Sequence, residues 1–559
     1  MVKKVLQFLH TEVRGLHDAA YLLACFAFLS QVLALLRDRL LAHTFGASHV
    51  LDVYFAAFRI PDFIFVSIAS LVSISVLVPF LAERFQKGEG DAKRFIDQTF
   101  SVFFAAIAVA SAVAYVAVPY LVPRVLPGFL HDPLLPSLVQ ATRILLLSPL
   151  LLGISNFFAS ITQMYNRFFL YAVSPLLYNL GIIVGIVFLY PAFGLRGLVF
   201  GVVLGAFLHA VIQVPFILGR GMFPRLSFRF KYADVRRVVF LSFPRTLALS
   251  SNQIATFFLV AFASLMSAGS IAIFNYALNL QSVPLSIIGV SYSSAAFPLL
   301  SRLLSGGKRA EFLTQMITAT KHIVFWSTPL MVLFVVLRAQ IVRVVLGSGH
   351  FNWTDTRLTA AALAMFVLSI IPQALLLLFV RAYYAEGRTW KPMVINLFSS
   401  ALIVALGFLL MRLFASVPSF RFFIEALFKV NDVPGTAVLM LPLAYTIGVT
   451  VNMVIHWIAF EGDFKGYSRA ALPAFFQIVS ASVVGGFCAY RLLAPFGVLF
   501  GMTTLLGIFL QGLCAGLIGI GVIILILILF RSSELKEVWR TLHQKIWRAE
   551  VLVPEQTEL

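Results

Sequence analysis

Apolar runs long enough to cross a bilayer recur from end to end of this chain, and they leave few folds open to it. They lie at about residues 19–43, 52–83, 95–122, 134–164, 168–190, 194–219, 236–266, 270–301, 311–337, 358–385, 390–412, 436–460, 470–491 and 498–530, fourteen in all. A spanning helix needs roughly 20 apolar residues. The longer runs imply tilted, bent or protruding helices. Strand-like alternation in segments of about ten residues is missing, which excludes a membrane β-barrel. Composition agrees: 60% of the 559 residues are apolar and 12% charged, with a mean hydropathy of +0.96. Soluble domains run at about 45–50% and about 25%. The expected fold is an all-α polytopic membrane protein.

The net charge of +19 in a soluble chain would point to nucleic acid. Here its distribution follows topology. With the N-terminus inside, Lys and Arg in the cytoplasmic segments outnumber those outside roughly three to one, which places both termini in the cytoplasm. Nucleic acid is therefore not expected as a partner. Lys3 and Lys4 precede an amphipathic stretch (Val5, Leu6, Phe8, Leu9, Val13, Leu16) broken by Glu12, Arg14 and Asp18, which reads as a surface segment rather than a cleaved signal. Cys25, Cys488 and Cys514 all lie in apolar runs without metal or redox spacing.

An internal repeat appears at a constant offset. Gln31, Ser48 and Tyr54 recur as Gln253, Ser270 and Tyr276, followed by Pro61 and Pro284 in similar settings. An even number of helices separates the copies, so the halves point the same way, a parallel repeat. The expected organisation is an amphipathic segment at 1–18, an N-lobe of six helices at 19–219 and a basic cytoplasmic linker at 220–235. A C-lobe of six helices at 236–460, a C-terminal helix pair at 470–530 and a cytoplasmic tail at 531–559 complete it.

Ionisable groups inside a bilayer cost at least ~2.5–3.5 kcal/mol each, so they face a cavity or a partner. Arg37, Asp38 and Arg39 stand together near one end of the first run; Asp52 and Arg59 lie on the second, Arg143 on the fourth and Arg245 on the seventh. Arg39 and Arg381 read as tethers to lipid headgroups. The group Arg37, Arg59 and Arg143 reads as the lining of a cationic cavity, because several positive charges on the first four helices cannot all reach the headgroups. Such a cavity suits an anionic substrate, and a diphosphate above all. Pro61 and Pro284 read either as hinges or as static kinks. Gly194, Gly197, Gly201 and Gly205 signal close helix packing. No metal cluster, Gly-x-Ser-x-Gly elbow or phosphate-binding loop is present, so the chain reads as a transporter without cofactor rather than an enzyme. A membrane-bound glycan-transferring enzyme would need acidic or metal-binding groups clustered at one leaflet. The longest outside loops, 338–357 and 413–435, are poor in them.

One stretch carries a family likeness. Arg37-Asp38, Phe45-Gly46-Ala47, Asp52, Phe55-x-x-Phe58-Arg59-Ile60-Pro61 and Val78-Pro79-x-Leu81-Ala82-Glu83 resemble the opening of MurJ/MviN lipid II flippases, within the multidrug/oligosaccharidyl-lipid/polysaccharide exporter superfamily. Ser174-Pro175-Leu176-Leu177-Tyr178-Asn179 and Arg381-Ala382-Tyr383-Tyr384-Ala385 continue the likeness. It implies fourteen helices in two six-helix lobes plus a C-terminal pair, and transfer of undecaprenyl-diphosphate-linked muropeptide between leaflets of the bacterial inner membrane by alternating access. A lipid-linked oligosaccharide flippase or a drug exporter of the same superfamily is the alternative. By this resemblance Arg37 meets the diphosphate, Arg59, Arg143 and Arg245 add positive field, and Asp38 and Asp52 hold the arginines in place. The lipid-linked substrate and membrane lipids are then the partners, with cell-wall synthesis proteins as further candidates. Three positions depart from the family: Gln31, Phe65 and Asn279 stand where it carries arginine.

Overall fold

The computed structural model describes residues 16–69, 74–165, 167–227 and 232–547. Most of the expected N-terminal segment, part of the basic linker and the end of the tail lie outside them. No strand occurs among the described residues. Eleven helical stretches there are long and apolar enough to cross a membrane. They fall on eleven of the fourteen expected runs; the other three runs fall on α1, the interrupted α2–α4 and α12, as defined below.

The chain divides into two compact units. The first comprises Met1–Val283, Val342–Phe366 and Arg388–Asn452. It opens with α1 (Leu16–Phe45), α2 (His49–Ala57), α3 (Arg59–Ala69) and α4 (Ile74–Gln86). Then come α5 (Glu89–Val125), α6 (Leu135–Leu145), α7 (Leu147–Met164), α8 (Phe168–Val184), α9 (Tyr190–Phe193), α10 (Leu195–Val211) and α11 (Val214–Gly219). The long α12 (Tyr232–Ser264) leads to α13 (Ser270–Leu285), within which the unit's first segment ends.

Local chemistry explains the breaks. Pro61 lacks the N–H that would bond back to Ala57, so the second run stops at Phe58 and restarts at Arg59 with the proline in the new first turn. Pro284 stands at the end of α13 and is followed by a π-turn at Ser286–Val290, the usual repair where a helical hydrogen bond is lost. Between α8 and α10 the backbones touch. A Cβ on Gly201 would strike the Cα of Gly185, the residue just past the end of α8, and one on Gly205 the carbonyl of Tyr178, so only glycine fits. The expected packing role of Gly201 and Gly205 is thus realised, with α8 as the partner.

The second unit comprises Pro284–Ile341, Val367–Gly387 and Met453–Leu559. It contains α14 (Ser291–Ser305) and α15 (Arg309–Val336), and takes part of α16 (Arg338–Leu346) and the end of α17 (Trp353–Val367). α18 (Ile370–Ala385) belongs to it. α19 (Trp390–Ser416) and α20 (Pro418–Phe428) return to the first unit, and α21 (Met440–Asp463) is shared. The rest of the second unit is α22 (Tyr467–Phe500), α23 (Leu505–Leu529) and α24 (Ser533–Trp547). Its core is aromatic: Phe312, Phe379, Phe460 and Tyr467 are all buried, and the Tyr467 hydroxyl is satisfied by Thr320 at 2.6 Å.

Candidate functional site

Arg37 and Asp38 are neighbours on α1, two turns before its end. A carboxylate so placed is the cheapest counter-charge for a guanidinium in an apolar run, since it needs no second element. Arg37 donates to the same Asp38 oxygen twice, from Nε at 2.9 Å and Nη2 at 2.7 Å. Its Nη1 donates to Asn179 Oδ1 on α8 at 3.0 Å. The second oxygen of Asp38 accepts from Asn279 Nδ2 on α13, also at 3.0 Å. Asn179 is itself held by the Pro175 carbonyl, which its amide reaches at 3.1 Å. Asp38 is buried; the Arg37 side chain remains 19% exposed.

Arg59 opens α3 because the chain breaks just before it. Its Nη2 donates to Asn275 Oδ1 at 2.6 Å, and Asn275 is anchored on the Ile271 carbonyl. The arginine is buried and its Nε has no hydrogen-bond partner. Asn275 and Asn279 are one turn apart on α13, so the two arginine systems are fastened to one face of one helix, about 5–6 Å from each other along it. The structure therefore brings Arg37, Asp38 and Arg59 together through three asparagines. Sequence reasoning passed over Asn275, and took Asn279 only as the absence of a charge. The available signal was amide side chains at i, i+4 spacing inside an apolar run.

The remaining candidates go elsewhere. Among the described residues Asp52 contacts no arginine; its oxygens accept the backbone N–H groups of Gly269 at 2.6 Å and Ala272 at 2.8 Å, capping the start of α13. His49 stands beside it, before the expected second span. It pairs with Asp52 at 3.6 Å and with Asp132 at 2.6 Å, and stacks on Phe129. Asp52 first and Asp132 with it raise the His49 imidazole from its usual 6.5 to about 9. Glycine is needed at Gly269, whose φ is +88° and where a Cβ would strike the Ala47 carbonyl. A Cβ at Gly46 (φ +63°) would likewise meet His350. The ends of α1, α2 and α13 thus meet in a tight seam.

Arg39, expected as a headgroup tether, also bonds to protein. Its Nη1 donates to the Val344 and Val345 carbonyls at 2.6 and 3.2 Å, at the C-terminal end of α16, where helix carbonyls are short of donors. Arg143 joins no member of the Arg37 cluster. Its Nε donates to the Tyr115 carbonyl on α5 at 3.1 Å and its guanidinium lies over the Tyr115 ring at 4.9 Å. The Arg245 backbone belongs to α12, and its side chain lies outside the described residues. Pro61 and Pro284 occupy the helix breaks already described. Among the described residues no group of three or more His, Cys, Asp and Glu is placed to hold a metal ion.

A many-helix bundle with charged pairs fastened inside its spanning segments defines a polytopic membrane protein. Solved structures agree in fold. The chain matches an inward closed conformation of the lipid II flippase MurJ with a TM-score of 0.72 at 22% identity, over 91% of this chain and 99% of that one. It matches an inward-facing multidrug resistance MATE family transporter of the MOP superfamily with a TM-score of 0.64 at 12% identity, over 79% and 96%. The family model "Lipid II flippase MurJ" matches residues 41–512, and the chain belongs to that family. Relatives include the lipid II flippase MurJ of Burkholderia cenocepacia, 27% identical over 66% of this chain and 73% of the relative. A probable lipid II flippase MurJ of Bdellovibrio bacteriovorus is 28% identical over 70% and 76%.

Proposed function

We propose that this protein is a lipid II flippase of the bacterial inner membrane, carrying the diphosphate headgroup between leaflets by alternating access while the polyprenyl tail stays in lipid. Membership of the MurJ family across residues 41–512 carries this reading. The chemistry of the Arg37 cluster supports it: a partly exposed guanidinium beside a buried one with an unfilled N–H matches a doubly charged phosphate pair. Arg37 and Arg59 bind the diphosphate. Asp38 holds Arg37 until substrate arrives and takes it back afterwards. Asn275 and Asn279 tie that exchange to α13, which makes the occupancy of the site felt at a helix that must move.

Pro284 serves as a hinge. The first segment of the compact unit holding the cluster ends at Val283, and a π-turn follows the proline, both as a flexing point requires. Pro61 flexes at the matching break after Phe58. The excess of Lys and Arg supports fourteen spans with both termini in the cytoplasm, which puts the seam at Asp52 and Gly269 on the outer side. There the Asp52 cap closes the outer exit while substrate loads from inside. The work is transport without chemical conversion of the substrate, and cell-wall synthesis proteins that make or consume lipid II are its natural neighbours.

The deciding experiment replaces the flippase of a depletion strain with this protein. Growth and outer-leaflet lipid II are expected with the unaltered chain and lost with Arg37→Ala. Wild-type translocation by Arg37→Ala would overturn the diphosphate site, and failure of the unaltered chain, correctly inserted, would overturn the substrate.

A further inference from the structure

A cleft of about 950 Å³ runs between α5 and the α6–α7 pair, apart from the Arg37 cluster. Its flanks are the apolar face of a spanning helix: Val113 and Val116 are 63% and 69% exposed. In a bilayer that exposure is to lipid. Within this apolar setting stands Arg143, and none of the residues lining the cleft is acidic. The Tyr115 carbonyl takes only its Nε, and the ring supports the guanidinium from one side. Gln140, also in the lining, accepts from Arg196 at 2.8 Å through its oxygen, which leaves its amide hydrogens as the end it can offer. Ser111 is 4% exposed, lines the cleft and has a hydroxyl without a hydrogen-bond partner. A guanidinium, an amide and an unfilled hydroxyl, with no carboxylate to balance them, form an anion site walled by aliphatic side chains.

We propose that this cleft binds an anionic phospholipid, its phosphate on Arg143 with help from Gln140 and Ser111, and an acyl chain along α5. Charge selects the occupant: the unbalanced Arg143 favours a net-negative lipid over a zwitterionic one, because the latter brings its own cation. Depth selects it too. Arg143 lies about 12 Å along α6 from that helix's start, within reach of a headgroup. The site is independent of whether lipid II is the transported substrate.

The test is native mass spectrometry of the full chain released from nanodiscs of phosphatidylethanolamine doped with phosphatidylglycerol. The unaltered protein is expected to retain phosphatidylglycerol preferentially. Arg143→Gln is expected to lower that retention roughly ten-fold, the scale of one charge-assisted contact, while Arg143→Lys keeps most of it. Arg124→Gln, an exposed arginine on the same helix as Tyr115, serves as control and leaves retention unchanged. Equal retention by Arg143→Gln overturns the site. So does displacement of the lipid by inorganic phosphate alone, or a loss confined to lipid-linked diphosphate adducts. Melting temperatures of the variants separate a lost lipid from a lost fold.

Discussion

Arg37 and Arg143 are the same residue type in the same kind of apolar run, and they live differently. Arg37 is bonded to a carboxylate beside it and to an amide 142 residues away. Among the described residues Arg143 is bonded only to a backbone carbonyl and a ring 28 residues away, on the preceding helix. The first is part of a knot that ties α1, α8 and α13 together. The second is an unbalanced charge at a lipid-facing cleft. The difference lies in the neighbour: an aspartate adjacent in sequence balances Arg37 within the protein, whereas no acidic residue lines the Arg143 cleft and lipid completes that charge.

The sharpest way to break the contrast is to remove the carboxylate. Asp38→Ala leaves the largely enclosed Arg37 without a counter-charge and strips Asn279 of its acceptor. The expected cost is about 3–5 kcal/mol, read as a large fall in melting temperature in detergent together with loss of complementation. Asp38→Asn retains the shape and is expected to cost less in stability while still abolishing transport, because the arginine then has no partner to return to. If Asp38→Ala melts like the unaltered protein, the knot is not a structural tie. Asp52→Ala comes next. It removes the cap of α13 and two backbone bonds, worth about 1–2 kcal/mol. Hydrogen exchange at the Gly269 and Ala272 amides is expected to quicken, since that carboxylate bonds both.

Much of this was legible in the sequence, for reasons that differ by element. Apolar run length is a direct consequence of bilayer thickness, so most spans could be located within a few residues. The pairing of Arg37 with Asp38 could be read because adjacency in sequence is adjacency in space. Pro61 and Pro284 announced helix breaks because a missing N–H is a local property. Asp52 could not be placed. Its partners are backbone groups some 220 residues further on, and a helix N-terminus recruits a carboxylate without leaving any side-chain signature. Arg39 escaped for the same reason, being bound to the carbonyls that end α16. Arg143 was grouped with Arg37 because hydropathy has no direction: it registers that a charge is inside a run, and not which face of the helix it occupies.

The seam also offers a pH test of intermediate size. His49 is raised to about 9 by Asp52 and Asp132. A raised histidine stabilises the closed seam fully below about 6.5, and that contribution is lost as the pH climbs through about 9. The side chain is 34% exposed, so solvent screens the pair and the effect is expected near 1 kcal/mol rather than the full linkage value. Protection of the Gly269 amide from hydrogen exchange, relative to its intrinsic rate at each pH, is expected to weaken between pH 7 and 10 in the unaltered protein. In His49→Gln it should start lower and stay flat. A slope of equal size in His49→Gln assigns the pH response to another group.

The smallest effect belongs to Arg143, and its smallness is the point. Arg143→Ala removes one bond to a carbonyl on the adjacent helix and one ring contact, and it also relieves an uncompensated charge in an apolar cleft. These oppose each other, so the melting temperature in lipid-free detergent is expected to move by no more than about 0.5 kcal/mol equivalent. Added phosphatidylglycerol should then raise the melting temperature of the unaltered protein more than that of the variant, by the linkage between binding and stability. Arg37→Ala is expected to behave in the opposite way, with a large loss in detergent that phosphatidylglycerol does not repair, because its missing partners are protein groups. If the two arginines respond alike to lipid, the distinction between a tied charge and a lipid-completed one collapses. If only Arg143 responds, the two guanidiniums that hydropathy cannot separate are separated by what neutralises them.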